Sequence, residues 1–214
     1  MNAIFLRAKH WQIFVPLIVI PFAIIIGVGI ASVFIINMVE NNTDRAEDLT
    51  WPIYFLPLVS VLCGFIQFAW FWSVLTKLST LLPYDRVRMP AKRIKVFFFI
   101  PIVYFCLIPL FIVFIIRNTA NPEPAQIVQM ISIGISLFFL HLFSVFCLFH
   151  TIYFAAKTIA SAELQRNATF SDFAADFFLI WLFPIGIWFV QPRINKLVDK
   201  ANGLYPNEGL VDRF

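Results

Sequence analysis

Five stretches of this chain carry no Asp, Glu, Lys or Arg: residues 11–39, 49–76, 96–116, 124–156 and 177–192. A helix rising about 1.5 Å per residue needs roughly 20 residues to cross a hydrocarbon core about 30 Å thick, and the first four stretches all exceed that length. The run at 177–192 falls short of it. Composition agrees, since 61% of the residues are hydrophobic and 13% charged. A soluble domain runs at about 45–50% and about 25%, which excludes a water-soluble globule. The pattern predicts an all-α, polytopic membrane helix bundle over residues 1–190, with spans at about 12–38, 52–76, 96–116 and 127–156. A Pro/Gly-broken hydrophobic segment follows at about 172–190, then a short amphipathic tail at 191–214.

The placement of the charges sets the orientation. Basic residues number two in the N-terminal tail (Arg7, Lys9), one in the 40–48 loop, six in the 77–95 loop, one in the 117–123 loop and two in the 157–176 loop. Loops rich in Lys and Arg stay in the cytoplasm, so the N-terminus lies inside and the acidic cluster Glu40, Asp44, Glu47 and Asp48 outside. The first apolar run is longer than the apolar core of a cleaved signal peptide, about 7–15 residues, and reads as a retained signal anchor. The expected location is a bacterial cytoplasmic membrane. The net charge of +4 is accounted for by these loops, so no nucleic-acid partner is expected.

The run at 177–192 has two readings. As a short fifth span it would place the basic tail, Arg193, Lys196, Lys200 and Arg213, outside. As a re-entrant or interfacial segment it keeps those charges inside, which the loop-charge rule favours. Pro184 and Gly186 interrupt the run, since Pro removes a helical hydrogen bond and Gly tolerates the turn. Pro192 is then expected to start a short amphipathic helix with Ile194, Leu197, Val198 and Ala201 on its apolar side.

Within the bundle, Ala23, Gly27 and Ala31, and likewise Ser60 and Gly64, recur at four-residue spacing, a pattern that lets helix backbones approach closely. Pro101 and Pro109 predict bends in the third span. The fourth span continues through Lys157–Arg166 in good helix formers and should project into the cytoplasm before breaking at residues 167–171. Thr169 and Asp172 are spaced as a capping box for the next helix.

Three sets of polar residues are candidates for function. Taken at about 100° per residue, Gln129, Ser132, Ser136, Cys147 and His150 share one face of the fourth helix and, with Gln67, form a candidate polar stripe. Asp172, Asp176, Gln191, Arg193 and Asn195 would gather at the cytoplasmic surface if the broken segment returns. Arg86, Arg88, Lys92, Arg93 and Lys95 are candidate contacts for anionic lipid head groups. Ionisable groups are scarce at membrane depth, which disfavours an ion-coupled transporter or proton pump. No catalytic motif, metal motif or cofactor fingerprint is present in the sequence, and Cys63, Cys106 and Cys147 have no paired spacing. The expected role is a non-enzymatic membrane subunit or scaffold acting through its basic cytoplasmic face, with a membrane or cytoplasmic protein as partner. The alternative is a permeation or lipid-handling protein that uses the polar stripe.

Overall fold

A computed structural model describes residues 4–39, 51–82, 87, 90–118 and 123–203. Among these residues the chain is helical, with no strand. The elements in order are α1 (Ile4–Arg7), α2 (His10–Phe14), a π-helical turn (Val15–Val19), α3 (Ile20–Val39), α4 (Trp51–Lys77), a 3-10 turn (Leu78–Leu81), α5 (Ala91–Asn118), α6 (Pro124–Leu164), α7 (Phe170–Trp181) and α8 (Phe183–Ala201). Four helices are long and apolar enough to cross a membrane, at His10–Phe34, Val61–Leu81, Lys92–Ile115 and Pro124–Leu164. They fall on the four long charge-free runs.

Prolines explain the irregular start of the first long helix. Pro16 has no N–H to give the carbonyl four residues back, and the helix widens to π geometry over Val15–Val19. The Cys63 thiol lies 3.8 Å from the Pro16 carbonyl. In α5, Pro101 and Pro109 are both accommodated within one helix.

Two compact units result. One consists of Val15–Phe68 and Lys92–His150, the other of Met1–Phe14, Ala69–Ala91 and Thr151–Phe214. In the first, large apolar side chains face outward in every helix: Phe22 and Phe34 on α3, Leu62 on α4, Val103 and Leu110 on α5, Val128 and Phe139 on α6 are all exposed. Packing is tight at one point, where the Phe105 ring lies directly over Gly64 and occupies the space a Cβ would need. Gly64 thus takes part in the close approach its spacing predicts. The Ala23/Gly27/Ala31 face does not, because Ala23 and Gly27 are exposed and no atom comes within 4 Å of a Cβ placed on Gly27.

In the second unit a set of apolar side chains turns inward. Its core is built from Trp70, Phe71, Val74 and Leu78 at the end of α4 and the turn after it, Ile159 of α6, Phe173 and Ile180 of α7, and Phe183, Ile187, Val190 and Ile194 of α8. Trp70 meets Phe183 edge to face at 5.0 Å, and Tyr153 meets Phe173 at 5.1 Å, geometries favoured by the ring quadrupoles. The expected continuation of the fourth helix exists, but it is no free rod. Ala155, Ala156, Ile159, Ala160, Ser161 and Ala162 are all buried, and the short side chains among them permit close neighbours. Helix α6 ends when Gln165 adopts the left-handed conformation (φ 51) that commonly terminates helices.

The break at the Pro/Gly pair is sharp. Helix α7 ends at Trp181, Leu182 takes non-helical angles (φ −85, ψ 48), and α8 begins with Pro184 in its first turn, where the missing N–H would lack a partner anyway. Gly186 is pressed against the Leu179 carbonyl so closely that any Cβ would overlap it. Pro192 does not start a helix, contrary to the sequence expectation; it lies inside α8, which runs unbroken from Phe183 to Ala201. Burial of Val190, Gln191, Ile194 and Val198 along one side carries α8 through the lost hydrogen bond. The predicted apolar side is observed in part: Ile194 and Val198 are buried and Lys196 and Lys200 exposed, but Leu197 is only half-buried and Ala201, at the helix end, is exposed.

Candidate functional site

The polar side chains of the second unit form two sets around α8. The first centres on Arg193. Its guanidinium pairs with Asp176 of α7 and with Glu163 of α6; Nε donates to a Glu163 carboxylate oxygen at 2.8 Å and Nη2 to an Asp176 oxygen at 3.1 Å. Asp176 is only 2% exposed. A planar fork of guanidinium donors meets its carboxylate. The Glu163 carboxylate, and after it Asp176, hold Arg193 in its charged form, raising its pKa further above an already high value.

The second set centres on Gln191, which has no exposed surface. Its Oε1 accepts from the Trp70 indole N–H at 2.8 Å. Its Nε2 donates toward the carbonyls of Phe5 at 2.8 Å and Ala8 at 3.1 Å and toward Asn195 Oδ1 at 2.9 Å, two N–H groups shared among three acceptors. Asn195 in turn donates to the Ala8 carbonyl at 3.1 Å. One amide thereby fastens the N-terminal segment, the end of α4 and α8 to one another. Rings reinforce the junction, with His10 at 4.3 Å from Trp188 and Phe14 edge-on to the same indole at 5.4 Å.

Of the sequence-predicted cytoplasmic cluster, Asp176 and Arg193 form one contact and Gln191 and Asn195 another. Asp172 is engaged elsewhere. It accepts two hydrogen bonds of 3.0 Å from Arg166 and one of 2.8 Å from the Thr169 amide. The last is the carboxylate half of a capping box at the start of α7. The Arg166 guanidinium and the Thr169 donors lower the Asp172 pKa to about 2. Two participants, Trp70 and Glu163, lie outside the sequence-predicted sets. Trp70 reads as an interfacial aromatic and Glu163 as a solvated helix charge. The available signal is Gln191 itself, a polar side chain at the end of an apolar run that needs partners when buried.

The polar stripe takes a different form. Gln129, Ser132 and Ser136 are exposed, and the two hydroxyls donate to carbonyls of their own helix, Val128 at 2.8 Å and Ser132 at 2.9 Å. Cys147 is buried, and the His150 ring lies 4.4 Å from Phe97. Gln67 is half-buried on α4. Lys92, Arg93 and Lys95 are exposed in the first turns of α5, whereas Arg86 and Arg88 lie outside the described residues. Between α5 and α6 runs a groove of about 490 Å³, lined by Lys95, Phe99, Val103 and Tyr104 on one side and Leu140 and Phe143 on the other. Among the described residues no three His, Cys, Asp or Glu side chains converge as metal ligands. Comparison with family models, curated proteins and solved structures finds no match to this chain.

Proposed function

We propose that this is a multi-pass protein of the bacterial cytoplasmic membrane, with its N-terminus inside and four crossings, and that α7 and α8 enter the inner leaflet as a re-entrant hairpin. The observation that carries this reading is the Asp176–Arg193 ion pair, which joins the two ends of the fifth charge-free run. A straight crossing helix over that run, about 16 residues, would hold its ends about 24 Å apart. From the pair to the break at Leu182 is about 9 Å along α7, and from Phe183 back to Arg193 about 15 Å along α8, no more than half of a core about 30 Å thick. The bonds from Gln191 and Asn195 to the Phe5 and Ala8 carbonyls support the return, because they hold α8 beside the N-terminal segment. Phe178, Trp181, Leu182, Ile185, Trp188 and Phe189 are exposed about the break, an apolar tip suited to lipid.

The protein acts, on this reading, as a non-enzymatic subunit or scaffold. Its outward apolar helices meet lipid, while its organised polar chemistry belongs to the unit built around α8. Lys92, Arg93 and Lys95 add a basic face toward anionic head groups. A membrane or cytoplasmic protein is the expected partner. The polar stripe supports permeation less well, since its serine hydroxyls are already satisfied on their own helix. Isolation in mild detergent followed by identification of co-purified chains tests the role. A stoichiometric partner lost when exposed residues of the α8 unit are changed is expected; reproducible isolation of the chain alone contradicts it.

A further inference from the structure

We propose that the groove between α5 and α6 is a binding site for one acyl chain of an anionic phospholipid, with Lys95 at its mouth holding the head-group phosphate. The inference rests on the membrane-spanning reading above and names a ligand for its basic face.

Length, chemistry and charge agree. Along α5 the groove runs from Lys95 to Tyr104. That separation is about 14 Å of helix, close to the hydrocarbon thickness of one leaflet, about 15 Å. The groove's volume of about 490 Å³ lies within the ordinary range of ligand pockets. Apart from Lys95 at its end, the wall consists mainly of aliphatic and aromatic groups, among them Phe99, Val103, Leu140 and Phe143, which suit a hydrocarbon tail. Lys95 stands with Lys92 and Arg93 in the opening turns of α5, and no acidic residue shares the first turn. The loop-charge count places these cations in the cytoplasmic leaflet. Cations at the positive end of a helix are repelled by its dipole, and a bound phosphate relieves that repulsion at the place where the groove opens. An anionic head group thus complements the mouth while its tail fills the slot.

The test is native mass spectrometry of the full chain in detergent, titrated with phosphatidylglycerol or with phosphatidylcholine of the same acyl chains. One basic contact near the surface corresponds to about a five-fold preference, so phosphatidylglycerol should be retained at least that much better. Lys95→Ala should remove the preference. Val103→Trp, at an exposed position that carries no core packing, should block the groove and reduce retention of either lipid. Equal retention of the two lipids, a preference that survives Lys95→Ala, or retention unchanged by Val103→Trp overturns the proposal. So does a dimer peak that Val103→Trp abolishes, which would make a second copy the occupant. Topology reporters on the same variants separate the cases: altered sidedness refutes the membrane reading, whereas normal sidedness without lipid preference refutes the groove alone.

Discussion

Replacing Gln191 with Leu should loosen the junction of the N-terminal segment with α8 more than any other single polar substitution. The side chain is fully buried and serves four partners. Leu is close in volume, so the cost is that of stranded polar groups. The Trp70 indole N–H loses its partner, which costs about 1–3 kcal/mol for a buried donor. The Phe5 carbonyl and Asn195 each lose a bond that contributes about 0.5–1.5 kcal/mol net. The Ala8 carbonyl keeps Asn195. Allowing for the apolar surface that Leu adds, the local loss is about 2–4 kcal/mol. Hydrogen exchange of the detergent-solubilised protein reads it directly, because backbone amides of residues 4–14 exchange through opening of this junction. Their rates should rise by roughly 30- to 1,000-fold, with amides in α5 unaffected. Adding Trp70→Phe to Gln191→Leu removes the stranded N–H and should recover about 1 kcal/mol. Exchange in Gln191→Leu within a few-fold of the parent would refute the view that this amide holds the unit together.

Three further outcomes follow from the same geometry. Arg193→Met leaves Asp176 without its partner, and breaking a fully buried pair in this way costs about 3–5 kcal/mol. The Arg193 side chain is 38% exposed. Solvent screening therefore reduces the expected loss to about 2–3 kcal/mol in chemical unfolding, largely restored in Arg193→Met/Asp176→Leu. Gly186→Ala forces a Cβ into the Leu179 carbonyl. It should destabilise the α7–α8 hairpin by about 1–3 kcal/mol, seen as faster proteolysis at the Leu182 break, while Gly27→Ala should change nothing measurable. Asp172 has a lowered folded pKa, so its contribution is complete above the unfolded value near 3.8 and is lost as pH falls toward about 2. Protection of the first-turn amides of α7 should fall across that window, and Asp172→Asn should flatten the change.

The long helices are legible because each falls on one of the long charge-free runs; the run at 49–76 corresponds to Trp51–Lys77, whereas α6 continues past its run at 124–156 to Leu164. Pro184 and Gly186 likewise mark a real break, since their effects are local to the backbone. Pro192 misleads for the same reason: its local cost is outweighed by burial on either side, which spacing alone does not reveal. Small-residue spacing is ambiguous, apt at Gly64 and without a close neighbour at Gly27, because the pattern permits close approach without supplying what approaches. The Trp70–Gln191 bond joins residues 121 positions apart, and Arg193 meets Glu163 across 30. Such pairings depend on how helices come together, and no local periodicity encodes them.

With four crossings and a last hydrophobic run that turns back, as proposed, Phe214 lies on the cytoplasmic side. A dual reporter fused after Phe214, one half active only in the cytoplasm and the other only outside, measures this directly. Cytoplasmic activity matching that of a reporter placed in the 77–95 loop is the predicted result. Activity on the outer face would require a fifth crossing between Asp176 and Arg193, incompatible with the ion pair that joins them.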